Sequence, residues 1–360
     1  MKLKKILGLC SLALLISACQ NKPAYYAYTI NYMDDTISVY KLNQKTGDLT
    51  SLNKNKQPTG KSPFDLEMTP TKDFLYVANT DDSTISMFKV NHDNGMLTSL
   101  SPATIASRKK PISLAIHPSG NYLYVANSGD DSVSAYKVDQ SNGQLALLAT
   151  VSTGRAPMQI KLDASGRYLY STNSKDNTIS MFKIDPASGK LSALNPKTIK
   201  TEAAPLALAF DPSNQFLYIT NTGSSSVTGY AFESVTGNLT YDTNKRIITK
   251  ANPVTINFNP RNQHFYVNSF DKTNGNQISV FYEKGDKLVS APAISLSHSR
   301  MIVDVTFAPF GDYVYLNDYQ NDSLDIYKID PLSGDIINKD KPKIVSAGNA
   351  PAKTLLVELK

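Results

Sequence analysis

Few side chains in this 360-residue chain have the type and spacing that catalysis or metal binding requires. The sequence contains four histidines and two cysteines, and no two histidines stand at a spacing typical of a metal site. Three of the histidines lie beside turn-forming residues: His92, His117 and His264. His298 is therefore the histidine best placed to meet a ligand, and neither a metal nor another cofactor is predicted.

One region combines a local insertion with charged and hydrogen-bonding side chains. Residues 271–276 interrupt an otherwise regular pattern, and residues 297–300, Ser-His-Ser-Arg, lead shortly afterwards to Asp304. A break in a regular pattern is a common place for function, although loop variation without function would produce the same insertion. The residues predicted to bind a ligand or partner are Asp271, Lys272, Asn274, His298, Arg300 and Asp304.

Two further sets of polar residues have simpler interpretations. Acidic pairs recur at 34–35, 81–82 and 130–131; they could form a cation site, but their recurrence in hairpin positions favours turn formation. A second set alternates with apolar residues along later segments and is predicted to line a wet channel. It comprises Asp65, Glu67, Gln159, Lys161, Asn257, Asp304 and Lys353. No catalytic residue is assigned in either set.

These residues belong to a segment that repeats seven times. A tyrosine marks each repeat at intervals of 46–49 residues: Tyr28, Tyr76, Tyr124, Tyr170, Tyr218, Tyr266 and Tyr315. A glycine keeps the same step: Gly47, Gly95, Gly143, Gly189, Gly237, Gly285 and Gly334. Two landmarks in phase over nearly the whole chain indicate a repeat architecture rather than separate domains.

Each repeat contains four short segments of period two, which predicts four antiparallel strands. Seven such units predict an all-β, seven-bladed β-propeller. An open solenoid is the alternative, but its ends would need polar caps, and none is evident. The chain enters at a second strand near Tyr26 and ends with an apolar segment at 354–359 that matches the innermost strands. We therefore expect the C-terminal strand to complete the first blade and close the ring.

The repeats resemble a known family. Leu-Tyr-Val-Ala-Asn at 75–79 and 123–127, and Leu-Tyr-Ile-Thr-Asn at 217–221, look like YVTN repeats. Residues 25–360 as a whole resemble the lactonase-type propellers, the group of 6-phosphogluconolactonases and muconate-lactonising enzymes. The resemblance implies the propeller fold and, for members that act as enzymes, lactone chemistry.

The resemblance also implies where catalytic residues would lie. Enzymes of this family carry Arg and His directly after the proline that opens an inner strand. The corresponding pairs here are apolar or uncharged: Ile112-Ser113, Met158-Gln159, Leu206-Ala207 and Val254-Thr255. Lactone hydrolysis needs a base and a donor for the oxyanion, and these side chains supply neither a base nor a cation.

The N-terminus has the organisation of a secretory signal peptide over residues 1–18. Lys2, Lys4 and Lys5 precede an apolar segment, Ile6 to Ile16, that is too short to span a bilayer comfortably. Without the three signal lysines, the charge balance falls from +6 to +3. This small excess gives no indication of nucleic-acid binding.

The end of the signal, Ile16-Ser17-Ala18-Cys19, resembles a bacterial lipobox. The resemblance implies that Cys19 becomes the mature N-terminus and carries lipid such as palmitate; a plain signal peptide with an incidental cysteine is the alternative. Residues 19–24 would then form a short tether between the membrane and the propeller at 25–360. Gln20 after the cysteine favours the outer membrane, with the protein facing the periplasm.

The sequence leaves two functional hypotheses. The first, favoured by the missing Arg and His residues, is a non-catalytic binding or scaffold lipoprotein of the cell envelope. Its protein or small-molecule partner would bind the face that carries the connections between blades. The second is an envelope lactonase or related hydrolase with a diverged site around His298, Arg300 and Asp304.

Overall fold

The alternation of apolar and polar residues in each repeat produces short antiparallel strands, which assemble into one twisted sheet, or blade. The computed structural model describes residues 23–54, 56–249, 251–262, 264–271, 275–291, 294–295, 301–337 and 341–359. These residues form seven separate sheets, and the innermost strand of each sheet contacts the innermost strands of its two neighbours. The predicted seven-bladed β-propeller is therefore confirmed.

Blades are numbered 1 to 7 by the order of their second strands in the chain. The inner strands, which surround the central channel, span Pro351–Leu359, Pro63–Met68, Pro111–Ile116, Pro157–Leu162, Pro205–Phe210, Asn252–Phe258 and Ile302–Phe307. The second strands span Ala24–Asn31, Phe74–Asn79, Tyr122–Asn127, Tyr168–Asn173, Phe216–Asn221, Phe265–Asp271 and Tyr313–Asp318.

The third strands span Thr36–Leu42, Thr84–Val90, Ser132–Val138, Thr178–Ile184, Ser226–Phe232, Gly275–Lys284 and Ser323–Lys328. The outer strands are continuous in five blades and span Leu97–Ala106, Leu145–Ser152, Leu191–Lys200, Leu239–Ile248 and Lys343–Ser346. In blades 1 and 6 the outer strand is split into Leu49–Ser51 with Gln57–Pro58, and Lys287–Ser290 with Ile294–Ser295. A short 3-10 helix spans Thr222–Ser224. The described part of the chain contains no helix with the length and hydrophobicity needed to cross a membrane.

Blade 1 is assembled from both ends of the chain. Its second strand, Ala24–Asn31, pairs on one side with Thr36–Leu42 and on the other with Pro351–Leu359. In this pairing Ala24 lies opposite Leu359 and Tyr28 lies opposite Leu355. The predicted closure of the ring by the C-terminal strand is thereby confirmed, and no blade leaves its inner strand unpaired.

The tyrosine and glycine landmarks form the hydrogen bonds that join neighbouring blades. The buried Tyr28 hydroxyl donates to the carbonyl oxygen of Gly95 in blade 2, at 2.7 Å. The equivalent bond from Tyr315 in blade 7 to Gly47 in blade 1 is 2.8 Å long and completes the circle. The same bond joins Tyr76 to Gly143, Tyr124 to Gly189, Tyr170 to Gly237 and Tyr266 to Gly334.

The glycine is required by a close aromatic contact as well as by its backbone conformation. Gly95 has φ +72°, and a Cβ atom there would lie 2.3 Å from the ring of Tyr26. The junction between blades 5 and 6 departs from this scheme. There, Tyr218 donates to the carboxylate of Glu283, which also pairs with the buried Lys245 at 3.0 Å.

Candidate active site

The central channel is lined by the free edges of the seven inner strands. Near its start, each inner strand pairs irregularly with its neighbour, as between Pro63 and Asp65 in blade 2 and between Ile302 and Asp304 in blade 7. Such a bulge breaks the alternation of side chains along a strand. As a result, two consecutive residues of each blade face the same cavity instead of opposite sides of the sheet.

This cavity has a volume of about 560 Å³ and lies where the inner strands begin, at the end reached by the connections between blades. We call the residues directly after the opening proline, or after Ile302 in blade 7, the mouth ring. All seven are apolar: Phe64, Ile112, Met158, Leu206, Val254, Val303 and Ala352. The apolar residues that follow the opening prolines of blades 3 to 6 therefore line the cavity.

The next residue of each blade forms what we call the lower ring. Its members are Asp65, Ser113, Gln159, Ala207, Thr255, Asp304 and Lys353. Lys161 and Asn257 also reach the cavity, two residues further along their strands. Six of the seven polar residues predicted to line the channel thus line this cavity, which brings acidic and basic groups together.

An ion pair between Lys353 and Asp65 lies at the base of the cavity. The Lys353 ammonium group contacts the Asp65 carboxylate, which also accepts hydrogen bonds from the backbone N–H groups of Leu66 and Leu114, at 2.9 and 2.7 Å. Burial alone would lower the pKa of the Lys353 ammonium group, but three neighbouring carboxylates raise it above its usual range. These carboxylates belong to Asp65, Glu67 and Asp304. Lys353 is therefore a stable positive charge.

Asp304 is the acidic group best suited to accept a proton in this cavity. Burial raises the pKa of its carboxyl group above the ordinary value, although Lys353 opposes the shift. One carboxylate oxygen accepts a hydrogen bond from the Thr354 N–H, at 3.2 Å. Burial also raises the pKa of Glu67, which is not among the described residues lining the cavity. A raised pKa makes a carboxylate a stronger base near neutral pH.

The structure describes two of the residues predicted to bind a ligand or partner. Asp304 lines the cavity, whereas Asp271 ends the second strand of blade 6, opposite Gly275, and does not line it. The other predicted residues, Cys19, Lys272, Asn274, His298 and Arg300, lie outside the described residues.

One residue of the predicted insertion in blade 6 does not protrude. Asn276 was expected to protrude with the rest of residues 271–276, but it is buried within the third strand. Its side chain accepts a hydrogen bond from the Ile302 N–H, at 2.8 Å, and donates to Asn268. Asn276 thus binds the backbone at Ile302, where the other inner strands have proline.

Sequence reasoning missed the link between Asp65 and Lys353, which are 288 positions apart. The contact could have been predicted from their equivalent positions, because each residue stands two places after the opening proline of its blade and the two blades are adjacent. Among the described residues, no group of three or more His, Cys, Asp and Glu side chains is arranged to hold a metal ion.

Comparisons with known proteins identify the family. The sequence model described as "Lactonase, 7-bladed beta-propeller" matches residues 20–111 and 98–204, which together exceed half of the chain. No match was found among curated protein sequences.

Solved structures share the fold at low sequence identity. A Bacteroides fragilis protein assigned as a 6-phosphogluconolactonase is 17% identical, with a TM-score of 0.81, and the alignment covers 94% of this chain and 99% of that one. A periplasmic gluconolactonase from Pseudomonas aeruginosa is 18% identical, with a TM-score of 0.79 and coverage of 94% and 100%. A Lactobacillus plantarum protein is 17% identical, with a TM-score of 0.77 and coverage of 94% and 100%.

The family match contradicts the hypothesis of a non-catalytic binding or scaffold propeller and favours the lactonase alternative. That hypothesis rested on the uncharged residues directly after the opening prolines in blades 3 to 6. Asp65, Asp304 and Lys353 were predicted to line the channel but were given no catalytic role, whereas the structure places this lysine and these two carboxylates in one cavity. The chain belongs to the lactonase family of seven-bladed β-propellers.

Proposed function

We propose that the protein is a lactone hydrolase whose active site is the cavity at the mouth of the central channel. The observation that carries the proposal is Asp304, a buried carboxyl group with a raised pKa that shares this cavity with the Lys353 charge. A base and a fixed cation in one enclosed site are the two elements that ester hydrolysis requires.

In the proposed reaction, the Asp304 carboxylate takes a proton from water as the water oxygen attacks the lactone carbonyl carbon. The tetrahedral intermediate then breaks the ring C–O bond, and Asp304 returns its proton to the leaving alkoxide oxygen. The product is a hydroxy acid. Lys353 offsets the negative charge that develops during the attack, while Asp65 holds the lysine in place.

The upper part of the cavity would hold the body of the substrate. Tyr32 contacts Phe64 and Tyr319 through their rings, with centroids 6.3 and 6.2 Å apart, and all three residues line the cavity. Together with the mouth ring, they provide an apolar wall that excludes water from the reacting bond.

We further propose that the enzyme works in the cell envelope, attached to a membrane through lipid on Cys19. The signal peptide and lipobox-like sequence support this location, and one protein of similar fold is a periplasmic gluconolactonase. The second strand of blade 1 begins at Ala24 and runs toward Tyr32 at the cavity. An N-terminal anchor would therefore attach to the opposite face and leave the cavity open to soluble substrate.

The full chain, purified in detergent, can be tested against a lactone panel by pH-stat, because each turnover releases an acid. The panel should include glucono-δ-lactone, 6-phosphogluconolactone and lactones with alkyl substituents. We expect turnover of at least one compound and a loss of about 10²–10⁴-fold in Asp304→Asn, the range typical of general-base removal.

Asp48→Asn is the matched control, because Asp48 is a half-exposed carboxylate outside the cavity whose partner is Lys343. It should retain the parent rate. Absence of turnover above the uncatalysed rate for every compound would refute the proposed function. Full activity in Asp304→Asn would refute the assignment of the base.

A further inference from the structure

Seven backbone N–H groups surround the channel just below the lower ring. They belong to the third residue after the opening proline, or after Ile302 in blade 7: Leu66, Leu114, Ile160, Leu208, Ile256, Val305 and Thr354. Each of these residues lies opposite the residue that follows the marker tyrosine, as Leu66 lies opposite Val77. Because the register is shared, their N–H groups have the same orientation toward the channel.

Carboxylates, an amide and a hydroxyl of the lower ring accept hydrogen bonds from five of these seven groups. Four caps come from the preceding blade: Leu114 N–H donates to Asp65 at 2.7 Å, Ile160 to Ser113 at 3.3 Å, Leu208 to Gln159 at 2.7 Å, and Thr354 to Asp304 at 3.2 Å. The fifth comes from the same strand, where Leu66 N–H donates to Asp65 at 2.9 Å. The Val305 amide follows Asp304 directly and lowers the pKa of its carboxyl group, against the larger effect of burial. These amides are consequently engaged by the protein itself.

Among the described residues, no lower-ring side chain accepts a hydrogen bond from the Ile256 N–H, and no carboxylate precedes it in its own strand. The residue in the capping position of the preceding blade is Ala207, whose methyl group cannot accept a hydrogen bond. The register is unchanged, because Ile256 lies opposite Val267 as expected. Nor does the adjacent Thr255 hydroxyl serve as a cap, since it has no hydrogen-bond partner within the described structure.

The cavity wall is consistent with an open amide at this position. Of the seven residues, all of them described, Ile256 alone lines the cavity. Its side chain is buried in the core between blades 5 and 6, so the part that reaches the cavity is backbone. The Thr255 hydroxyl is also buried and has no partner among the described residues, which is costly for a polar group. A rotation about its Cα–Cβ bond would be needed to bring it to a ligand in the cavity.

We infer that the Ile256 N–H and the Thr255 hydroxyl form the oxyanion-binding subsite of this cavity. The inference rests on the proposed lactone hydrolase function and adds the groups that contact the carbonyl oxygen. As water attacks, the carbonyl oxygen becomes an oxyanion and accepts hydrogen bonds from both donors. Asp304, on the neighbouring blade 7, takes the proton of the water. Ala207 leaves the space into which the oxygen fits.

The direct test replaces Ala207 by a residue type that caps an N–H group elsewhere in the lower ring. Ala207→Ser introduces the residue that caps Ile160, and Ala207→Gln introduces the residue that caps Leu208. Either cap should occupy the Ile256 N–H and lower kcat by about 10²–10³-fold, the usual effect of losing one oxyanion donor. KM should change little, because the lost interaction forms mainly in the transition state.

Ala209→Ser is the matched control. Ala209 lies two residues further along the same strand and does not line the cavity, so the same added hydroxyl should leave kcat within about twofold of the parent. Thermal melting of each variant separates a loss of fold from a loss of rate. For the second donor, Thr255→Val should lower kcat by at least tenfold, and Thr255→Ser should restore most of it.

A kcat within twofold of the parent in both Ala207 variants, with the fold intact, would overturn the inference while leaving the lactonase proposal in place. If the parent itself shows no turnover, the proposed function fails, and calorimetric binding of D-gluconate becomes the test of the subsite. Binding to the parent that is weakened at least tenfold in Ala207→Ser would support the donor pair. Equal or absent binding in both proteins would refute it.

Discussion

Replacing Lys353 by methionine is the sharpest test of the charge arrangement in the channel. Lys353 lies in the C-terminal strand, and its ammonium group pairs with the buried Asp65. Methionine preserves much of the unbranched side chain but removes the charge. Asp65, Glu67 and Asp304 are then left close together without their shared cation.

The expected loss follows from the burial of this cluster. Removing one partner of a buried ion pair typically destabilises a protein by about 3–5 kcal/mol. With an unfolding entropy of about 2.1 cal/mol/K per residue, a chain of about 340 residues has roughly 0.7 kcal/mol/K, so the melting temperature should fall by about 4–7 °C at pH 7.5.

The loss should depend on pH with a defined sign. Burial raises the pKa of both Glu67 and Asp304 in the folded protein, and removal of Lys353 should raise it further. A carboxyl group with a raised folded-state pKa favours folding below its unfolded pKa, and this contribution is lost as the pH rises through the folded pKa. The deficit of Lys353→Met relative to the parent should therefore shrink as the pH falls toward about 4.

Calorimetry or urea unfolding of the full chain between pH 4 and 8 measures this difference. Lys343→Met is the matched control, because Lys343 pairs with Asp48 at 2.6 Å and both side chains are about half exposed. Its loss should not exceed about 1 kcal/mol. A Lys353→Met protein that melts with the parent at pH 7.5, or whose deficit grows on acidification, would refute the reasoning.

Three further predictions concern the closure of the ring and the proposed lipid anchor. Deletion of residues 354–360 should unfold blade 1 and abolish the parent's cooperative melting transition, because it removes the inner strand that closes the ring; an unchanged melting curve would contradict this. Tyr315→Phe should cost about 1–3 kcal/mol in urea unfolding, because the buried Gly47 carbonyl loses its donor, whereas Tyr241→Phe, at a partly exposed ring, should cost less than about 0.5 kcal/mol. Cys19→Ala should move the protein from the membrane fraction to the soluble fraction with an unchanged melting temperature, and continued membrane association in high salt would exclude lipid as the tether.

Most of the fold could be predicted because repeated residues mark repeated positions. Tyr28 and Gly95 are each recognisable in the sequence, and their common step predicts the number of blades. Their pairing could not be predicted, because the bond joins a tyrosine to the glycine of the following repeat, 67 residues away. The exception at Tyr218 was also hidden, since Gly285 keeps the landmark in sequence although Glu283 takes over the bond.

The site was less predictable than the fold for a related reason. Asp65 and Lys353 were correctly predicted to line the channel, but their contact depends on ring closure, which brings the last strand beside blade 2. The uncapped amide of Ile256 could hardly be predicted from the sequence. Its only signal is Ala207, a small residue where other blades carry a hydrogen-bonding side chain.

The shared construction of blade 1 also sets the order in which the molecule can assemble. Ala24 pairs with Leu359. The inner edge of the strand Ala24–Asn31 therefore stays exposed until the strand Pro351–Leu359 has been synthesised. Blades 2 to 7 are each built from one continuous stretch of chain and can form earlier from local contacts. During this interval the open edge of blade 1 can accept the C-terminal strand of another copy. Strand-exchanged dimers are thus the expected misfolded product at high expression, and dilution during refolding should suppress them.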